Sequence, residues 1–342
     1  MPSETAVTPT VTRSGRFAPG SRFHVQLGAQ QINIVGLIVG ILLLYVVLSI
    51  LAPNFGTTRN IFSILQSAAD VGTIAWAGTL VIVAGEIDIS VGPAVAFWSV
   101  MLAEMAGPWH LGLPLALLLT LVGGAIVGAF AGWLRARFGV PSFVVTLGLW
   151  LALRGQAEFI TNALPVPIND SAFLDFLGGT LPGGIPVNAV LMFILFFIYL
   201  FIARRTRFGR SVFAVGGNAK AAALSGIRVA RVRILVFVGT GLLAAVVGIV
   251  TAGRLTGGNA TAASGLEFDV IAAIVVGGTS LSGGRGSMLG TLLGVLFIAV
   301  IGNGLILLGV NPFFQNVVSG VIIVGAVLIN LALSRRGSKE IV

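Results

Sequence analysis

The sequence predicts an all-α protein that crosses a membrane about ten times. Of its 342 residues, 56% are hydrophobic and only 9% are charged, whereas soluble domains carry about 25% charged residues. The mean hydropathy is +1.05, and several apolar runs reach the roughly 20 residues that a helix needs to cross a bilayer. The basic residues also fall on alternate sides of these runs. These three observations indicate a polytopic membrane protein.

Ten segments are candidate spans. Six are clean apolar runs, and four carry glycines or polar residues typical of interior-facing or broken helices. We therefore expect some of the ten helices to be short or interrupted. The clean runs are residues 32–52, 111–134, 187–203, 234–252, 288–308 and 317–333, and the other four are residues 61–83, 89–106, 142–161 and 269–279.

The distribution of basic residues predicts the orientation. If the N-terminus is cytoplasmic, all but Arg59, Arg154 and Arg254 of the 20 Lys and Arg residues lie in or beside inside segments, as the positive-inside rule requires. The net charge of +9 and the pI near 11.5 therefore require no nucleic-acid partner. Instead, the lipid bilayer is the expected surroundings.

The same orientation predicts the domain organisation, with both termini in the cytoplasm. Residues 204–233 hold eight basic residues and form the longest inside loop, whereas residues 161–186 hold none and form the largest outside loop. The remaining divisions are a flexible cytoplasmic tail at residues 1–31, a transmembrane domain at 32–333 and a second tail at 334–342.

A short helix is predicted within the inside loop. Asn218 can cap the first turn, the residues that follow are mostly good helix formers, and Gly226 can adopt the left-handed conformation that ends a helix. Its Ala-rich surface, with Leu224 as an apolar side chain, would let another protein approach closely. The alternative is a connector held at phospholipid head groups.

The glycine-rich segment 270–294 superficially resembles a phosphate-binding loop. That motif needs a Lys and a Ser or Thr, and Gly284 and Arg285 occupy those positions. There is no Cys, and His24 and His110 are isolated. The sequence thus predicts no ATPase site, no metal site and no cluster of catalytic residues in this chain.

Two groups of glycines have a spacing of four, which places a groove along one helix face for close helix contact. We also expect Arg154 and Glu158, four residues apart on one helix, to neutralise each other as a structural pair. The two glycine groups are Gly124, Gly128 and Gly132, and Gly286, Gly290 and Gly294.

Five polar residues are candidates for the translocation pathway. Glu86 and Asp88 follow the second span, where they form either a hydrated cytoplasmic turn, with Asp88 favouring the start of the third helix, or a gate. Gln66 and Asp70 share a face of the second helix, and Asn303 is the lone amide of the ninth. Such residues either bond between helices or contact a solute.

Several motifs together resemble the permease subunits of bacterial ATP-binding cassette (ABC) importers, in the branch for ribose, xylose, arabinose and related sugars. The resemblance covers about residues 32–332, and the stretch GEIDISVG favours the sugar branch. One departure is Glu86, where the family usually has a second glycine. The motifs are AGEIDISVGPAVAF, VPSFVVTLGLWLALRG, GRSVFAVGGNAKAAALSGIRV, GGTSLSGGRGSMLGTLLG and NGLILLGVNPFFQNVVSGVIIVGAVLI.

The resemblance implies an importer for a monosaccharide or a related small polyol or sugar derivative. It implies a homodimer or a pair with a similar permease, two cytoplasmic ATPase subunits that bind ATP and Mg, and a periplasmic substrate-binding protein. No cofactor is expected in this chain. The loop 204–233 then corresponds to the family's coupling loop, with Asn218, Ala219, Lys220, Ala222, Leu224, Ser225 and Gly226 at the ATPase contact.

Other functions remain as alternatives. A related ABC permease would carry branched-chain amino acids or nucleosides. An ion-coupled secondary transporter would use buried carboxylates such as Asp70, Glu104 and Glu158 as coupling sites, although the predicted docking helix argues against it. A membrane-embedded enzyme lacks the necessary residues.

Overall fold

The computed structural model describes residues 29–168, 171–311, 314, 317–322, 324, 325 and 328. The predicted tails at residues 1–31 and 334–342 lie almost entirely outside the described residues, as does much of the tenth predicted span, 317–333. Within the described part, helices account for most of the chain, and the fold is all-α as predicted.

Twelve helices have defined bounds in the described part. A two-residue antiparallel ribbon pairs β1 (Val166–Pro167) with β2 (Gly257–Gly258). The helices are α1 (Ala29–Leu51), α2 (Thr58–Val83), α3 (Val91–Ala106), α4 (Leu113–Phe138), α5 (Ser142–Thr161), α6 (Ala172–Gly178), α7 (Val187–Arg205), α8 (Arg207–Gly217), α9 (Ala219–Leu224), α10 (Val229–Leu255), α11 (Leu266–Val276) and α12 (Met288–Leu307).

Seven of the described helices are long and apolar enough to cross a membrane: α1, α2, α4, α5, α7, α10 and α12. Two more predicted spans are shorter, because α3 has 16 residues and α11 has 11. This confirms a polytopic α-helical membrane protein in which some helices are short.

Helix α2 lies at the centre of the bundle. Its apolar stretch is 83% buried, against 22% for α4 and 11% for α1, and it packs against α7, α10, α11 and α12. The fully buried Trp76 donates its indole N–H to the Met192 carbonyl at 3.1 Å. Gly72 leaves room for the Met192 side chain, since a Cβ there would lie 2.6 Å from the sulfur.

The first predicted glycine groove is confirmed as the contact between α4 and α10. A Cβ on Gly128 would lie 2.1 Å from the Phe237 carbonyl oxygen, and one on Gly132 would lie 2.6 Å from Cα of Ile234. A Cβ on Gly124 would likewise lie 2.6 Å from the Gly241 carbonyl oxygen. Only glycine permits this approach of the two backbones.

The second predicted groove is partly wrong. Gly290 and Gly294 do lie on α12 against α11, where a Cβ would meet the carbonyl oxygens of Gly277 and Ala273. Gly286, however, precedes the helix, because Ser287 caps α12 by accepting the Gly290 amide. Gly286 belongs to the glycine loop, which we define as residues 277–287.

Residues 204–233, the predicted inside segment, are more helical than expected. Besides α9 they contain α8, which begins where Thr206 accepts the Gly209 amide at 3.0 Å and buries Gly209, Val212 and Val215. A Cβ on Gly216 would lie 1.7 Å from the Val83 carbonyl oxygen. Helix α8 therefore lies directly against the end of α2.

The predicted outside segment also contains defined elements in its described part, residues 161–168 and 171–186. Ser171 caps α6, and a Cβ on Gly178 would lie 2.6 Å from the Arg254 amide. The ribbon β1–β2 adds a second connection to the end of α10. The segment thus covers one end of α10 over its described part.

The glycine groove predicts opposite changes in the free energy of unfolding for two glycine-to-alanine substitutions. We expect Gly128→Ala to lower the free energy of unfolding by about 1–3 kcal/mol, because the methyl group overlaps a backbone carbonyl. Gly40→Ala on α1 is the control, since nothing lies within 4 Å of its Cβ position, and we expect it to raise stability by up to about 1 kcal/mol. Thermal unfolding in detergent measures both, and equal effects would contradict the packing described here.

Candidate functional site

The polar and exposed features that bear on function lie in three places. The first is α9, the predicted docking helix. The second is the Glu86 cluster, formed by Glu86, Arg135 and Arg233. The third is the acidic cavity, lined by Trp150, Arg154, Ser264, Glu267, Phe268 and Asp269.

The predicted short helix is confirmed at α9. The Asn218 side chain accepts the Ala221 amide at 3.0 Å. At the other end Gly226 has φ +82°, and two hydrogen bonds close the turn: the Gly226 amide to the Ala223 carbonyl and the Ile227 amide to the Ala222 carbonyl, each at 3.0 Å. This is the Schellman arrangement of a helix C-terminus, so both ends of α9 are fixed.

The exposed side of α9 carries a large apolar residue. Leu224 is 91% exposed, while Lys220, Ser225 and Gly226 are also exposed and Ala219 is half-buried. The expected surface role of Ala222 is wrong, because this residue is 5% exposed and packs inward. Ala222 therefore packs against the rest of the protein and does not contribute to the exposed surface of α9.

The Glu86 cluster differs from the hydrated turn that the sequence suggested. Glu86 is only 2% exposed, with its Oε1 2.7 Å from Nε of Arg233 and its Oε2 2.8 Å from Nε of Arg135. The carboxylate therefore joins the turn after α2 to the end of α4 and the start of α10. Sequence reasoning missed these partners because it counted both arginines only as inside charges.

Asp88 fixes the start of α3. Its Oδ1 accepts the Ser90 amide at 3.0 Å and the Ser90 hydroxyl at 2.7 Å, and its Oδ2 accepts the Thr240 hydroxyl at 2.6 Å. The expected link between Asp88 and the N-terminus of α3 is present. With Thr240 bonded, the turn is also held against α10.

Asp70 and the backbone of Gln66 take part in contacts between helices. Arg254 Nη1 lies 2.7 Å from Asp70 Oδ2, and the Asn188 amide donates to Asp70 Oδ1 at 3.2 Å and to the Gln66 carbonyl at 3.1 Å. Gln66 also lines an open groove of about 400 Å³ beside the outside segment.

Asn303 likewise bonds to another helix. It accepts a hydrogen bond from the Asn60 amide at 2.8 Å, and that amide also donates to the Phe55 carbonyl at 2.9 Å. Both asparagines are buried. The interhelical alternative for Asn303 thus has direct geometric support.

The pair of Arg154 and Glu158 is confirmed. Nε of Arg154 lies 2.9 Å from Oε1 of Glu158. Arg154 also donates from Nη2 to the Ser264 hydroxyl at 2.9 Å, which joins α5 to the segment before α11. The arginine therefore belongs to the wall of the acidic cavity as well as to the pair.

The acidic cavity has a volume of about 510 Å³ and lies between α5 and the first turn of α11. The Trp150 indole donates to Glu267 Oε1 at 2.8 Å, and the Ser319 hydroxyl donates to Asp269 Oδ1 at 3.2 Å. Glu267 is 2% exposed. Two carboxylates in one helical turn thus face a space large enough for a small solute.

Sequence reasoning missed Glu267, although a signal was present. Two acids stand two residues apart at the start of an apolar run, and carboxylates at membrane depth indicate function. Gly92 on α3 gave no such signal in the sequence, although its Cβ position lies 1.9 Å from Glu267 Oε2. This glycine makes room for the carboxylate, a relation that only the tertiary structure reveals.

The Glu86 cluster predicts that two carboxylates differ greatly in their contribution to the free energy of unfolding. Glu86→Gln leaves two arginines without their counter-ion, and we expect a loss of about 3 kcal/mol in the free energy of unfolding. Glu158→Gln is the control, because its side chain is 42% exposed and exposed pairs contribute about 0.5 kcal/mol. Thermal unfolding in detergent compares the two, and an equally small effect for Glu86→Gln would rule out a structural role for the cluster.

The chain is similar to known transport proteins along most of its length. A family model described as "Branched-chain amino acid transport system / permease component" matches residues 60–327. The chain is 60% identical over 314 residues to the Probable ABC transporter permease protein YphD of Escherichia coli (strain K12), covering 92% of this chain and 94% of that protein.

The names of two further relatives include a sugar. The Ribose import permease protein RbsC of Escherichia coli (strain K12) is 38% identical over 86% of this chain and 92% of its own length. The L-arabinose ABC transporter permease protein AraH of Azospirillum brasilense is 36% identical over 87% and 88%, respectively. No solved structure matches this chain significantly.

These matches cover well over half of the chain, and the long apolar helices agree with them. The chain therefore belongs to the family of ABC transporter permease proteins, as a multi-pass protein of the inner membrane.

Proposed function

We propose that this chain forms the translocation pathway of an ABC importer for a monosaccharide or a related small polyol or sugar derivative. The observation that carries this proposal is the 38% identity to a ribose import permease over 86% of the chain. The relative named for L-arabinose points to the same class of solute. A branched-chain amino acid is less well supported, because only the family description names it.

In this proposal ATP is hydrolysed by two cytoplasmic ATPase subunits, which bind ATP and Mg. A periplasmic binding protein delivers the solute, and the permease works as a homodimer or with a similar permease. The glycine loop supports the assignment of ATP hydrolysis to the partner subunits. The Gly284 amide donates to the Val83 carbonyl at 2.8 Å, so this amide holds the fold together rather than facing a phosphate.

The docking helix is the proposed contact with the ATPase. A side chain as apolar and exposed as Leu224 is costly to leave in water but favourable in a partner's cleft. Because both ends of α9 are capped, the helix would transmit a movement of the ATPase without unwinding. Lys220, Ser225 and Gly226 would surround Leu224 in that contact.

A structural route leads from α9 into the bundle. Helix α8 contacts Val83 through Gly216, and Gly217 lies 2.8 Å from the Cβ position of Gly284. These are contacts between backbones, which have little freedom to compress. We propose that closure of the ATPase subunits moves α8 and α9 together and thereby moves the end of α2 and the glycine loop.

The ion-coupled alternative receives less support from the geometry. Two of its three candidate carboxylates already have a positive partner, since Asp70 pairs with Arg254 and Glu158 pairs with Arg154. A coupling site must release and rebind its ion during each cycle, and a fixed arginine opposes this.

The docking helix predicts the effect of a single charge. With Leu224→Glu we expect normal membrane abundance, about a thirtyfold weaker association with the ATPase subunits, equivalent to about 2 kcal/mol, and loss of uptake. Uptake and co-purification of the ATPase are measured together.

Two controls keep this experiment specific. Ala230→Glu places the same charge on another exposed residue of the inside segment and should leave uptake intact. Ala222→Glu, in contrast, should lower abundance itself, because that residue is buried. Wild-type uptake and co-purification for Leu224→Glu would show that α9 is not the coupling element.

The solute class is tested by direct uptake. Cells that express the permease with its ATPase and binding protein are given radiolabelled D-ribose, L-arabinose, D-xylose, leucine and adenosine. We expect uptake of at least one sugar and of neither leucine nor adenosine. Uptake of leucine without any sugar would refute the proposed solute class.

A further inference from the structure

We propose that the acidic cavity is the site where this chain contacts the solute in transit, with Glu267 as the residue that recognises hydroxyl groups. The solute that fits is neutral and polyhydroxylated, so the inference rests on the proposed function and specifies its site. Four features of the described residues lead to this assignment.

The first feature is the chemistry of the lining. Carboxyl oxygens accept hydrogen bonds, and a guanidinium only donates them. Glu267 and Asp269 therefore offer acceptors and Arg154 offers donors, which together match hydroxyl groups that do both. Trp150 and Phe268 add aromatic surface beside them. The volume of about 510 Å³ lies within the range of small-molecule sites, about 300–1,000 Å³.

The second feature is an incomplete set of hydrogen bonds on Glu267. Its Oε1 accepts the Trp150 indole, whereas its Oε2 is buried against Gly92 and makes no hydrogen bond of good geometry among the described residues. A buried carboxylate oxygen without a donor is unfavourable. Because the terminal torsion of Glu is broad, the carboxylate can turn and exchange its bond to the Trp150 indole for one to a solute hydroxyl in the cavity.

The third feature is the local charge. Glu267 and Asp269 give the cavity two acids, and the basic residue of its described lining, Arg154, is already paired with Glu158. Any negative charge that these acids carry disfavours an anionic solute, whereas a neutral sugar is not repelled.

The fourth feature is the connection to the docking helix. Glu267 and Asp269 lie in the first turn of α11, a helix of 11 residues and therefore about 16 Å long. At its other end α11 continues into the glycine loop, whose Gly283 lies against the backbone of Gly216 on α8. Movement of α8 thus reaches the cavity through one short helix.

The test uses the complete importer with the sugar that the wild-type protein takes up from the panel above. We expect Glu267→Gln to reduce the uptake rate at least about tenfold, with wild-type abundance and unchanged co-purification of the ATPase. Trp150→Phe, which keeps a ring but removes the donor to Glu267, should reduce uptake less. The matched control is Glu104→Gln, a buried carboxylate on α3 outside the cavity, which should stay within about twofold of wild type.

A second measurement does not depend on the folding of Glu267 variants. The chain has no Cys, so Ser264→Cys introduces a single thiol at the cavity. A membrane-impermeant methanethiosulfonate reagent should modify it and block uptake, and the transported sugar with its binding protein should slow the modification. Asp175→Cys, exposed on α6, should be modified without loss of uptake.

The possible outcomes distinguish a failure of the proposed function from a failure of this inference alone. If the wild-type importer takes up none of the sugars, the proposed function and this inference both fail. If it takes up a sugar, while Glu267→Gln keeps the wild-type rate or modification at position 264 leaves uptake intact, only the inference is overturned. If Glu267→Gln lowers abundance, the thiol measurement decides alone.

Discussion

Close contact between backbones at glycine is the constraint on which this structure depends. In lipid there is no hydrophobic force to draw apolar helices together, so their association depends on van der Waals approach. At Gly128 and Gly294 a carbonyl oxygen of the neighbouring helix occupies the space of a Cβ. These contacts fix α4 against α10 and α12 against α11. The same type of contact recurs where Gly216 of α8 meets the end of α2, so residues 204–233 also join the bundle through a glycine contact.

Three of the described carboxylates have a positive partner. A carboxylate at membrane depth is costly unless it is paired or hydrated, and Glu86, Asp70 and Glu158 each contact an arginine. The pairs of Glu86 and Asp70 join different helices, whereas Glu158 and Arg154 lie on the same helix. Glu267 departs from this arrangement, because its hydrogen bond comes from a neutral indole and one of its oxygens makes no hydrogen bond of good geometry among the described residues.

The proposed importer needs a rigid path between the ATPase and the solute, and the described elements suit this requirement. Helix α9 has fixed ends, α8 touches the end of α2 at backbone distance, and the glycine loop continues directly into α11. Glycines with positive φ, such as Gly283 and Gly284, allow the loop to fold tightly against α8. The loop that resembles a phosphate-binding motif in sequence is thus a packing element between two moving parts of the proposed mechanism.

The sequence by itself determined the membrane class, the approximate bounds of nine spans, the caps of α9 and the pair of Arg154 and Glu158. All of these depend on local periodicity or on residues a few positions apart. Only the tertiary structure decided that Glu86 lies between Arg135 and Arg233, that Ala222 packs inward, and that Gly286 precedes α12. Glu267 is the clearest case: its neighbours Trp150 and Gly92 are more than a hundred residues away in the chain, and no local pattern encodes which distant side chains will meet a buried carboxylate.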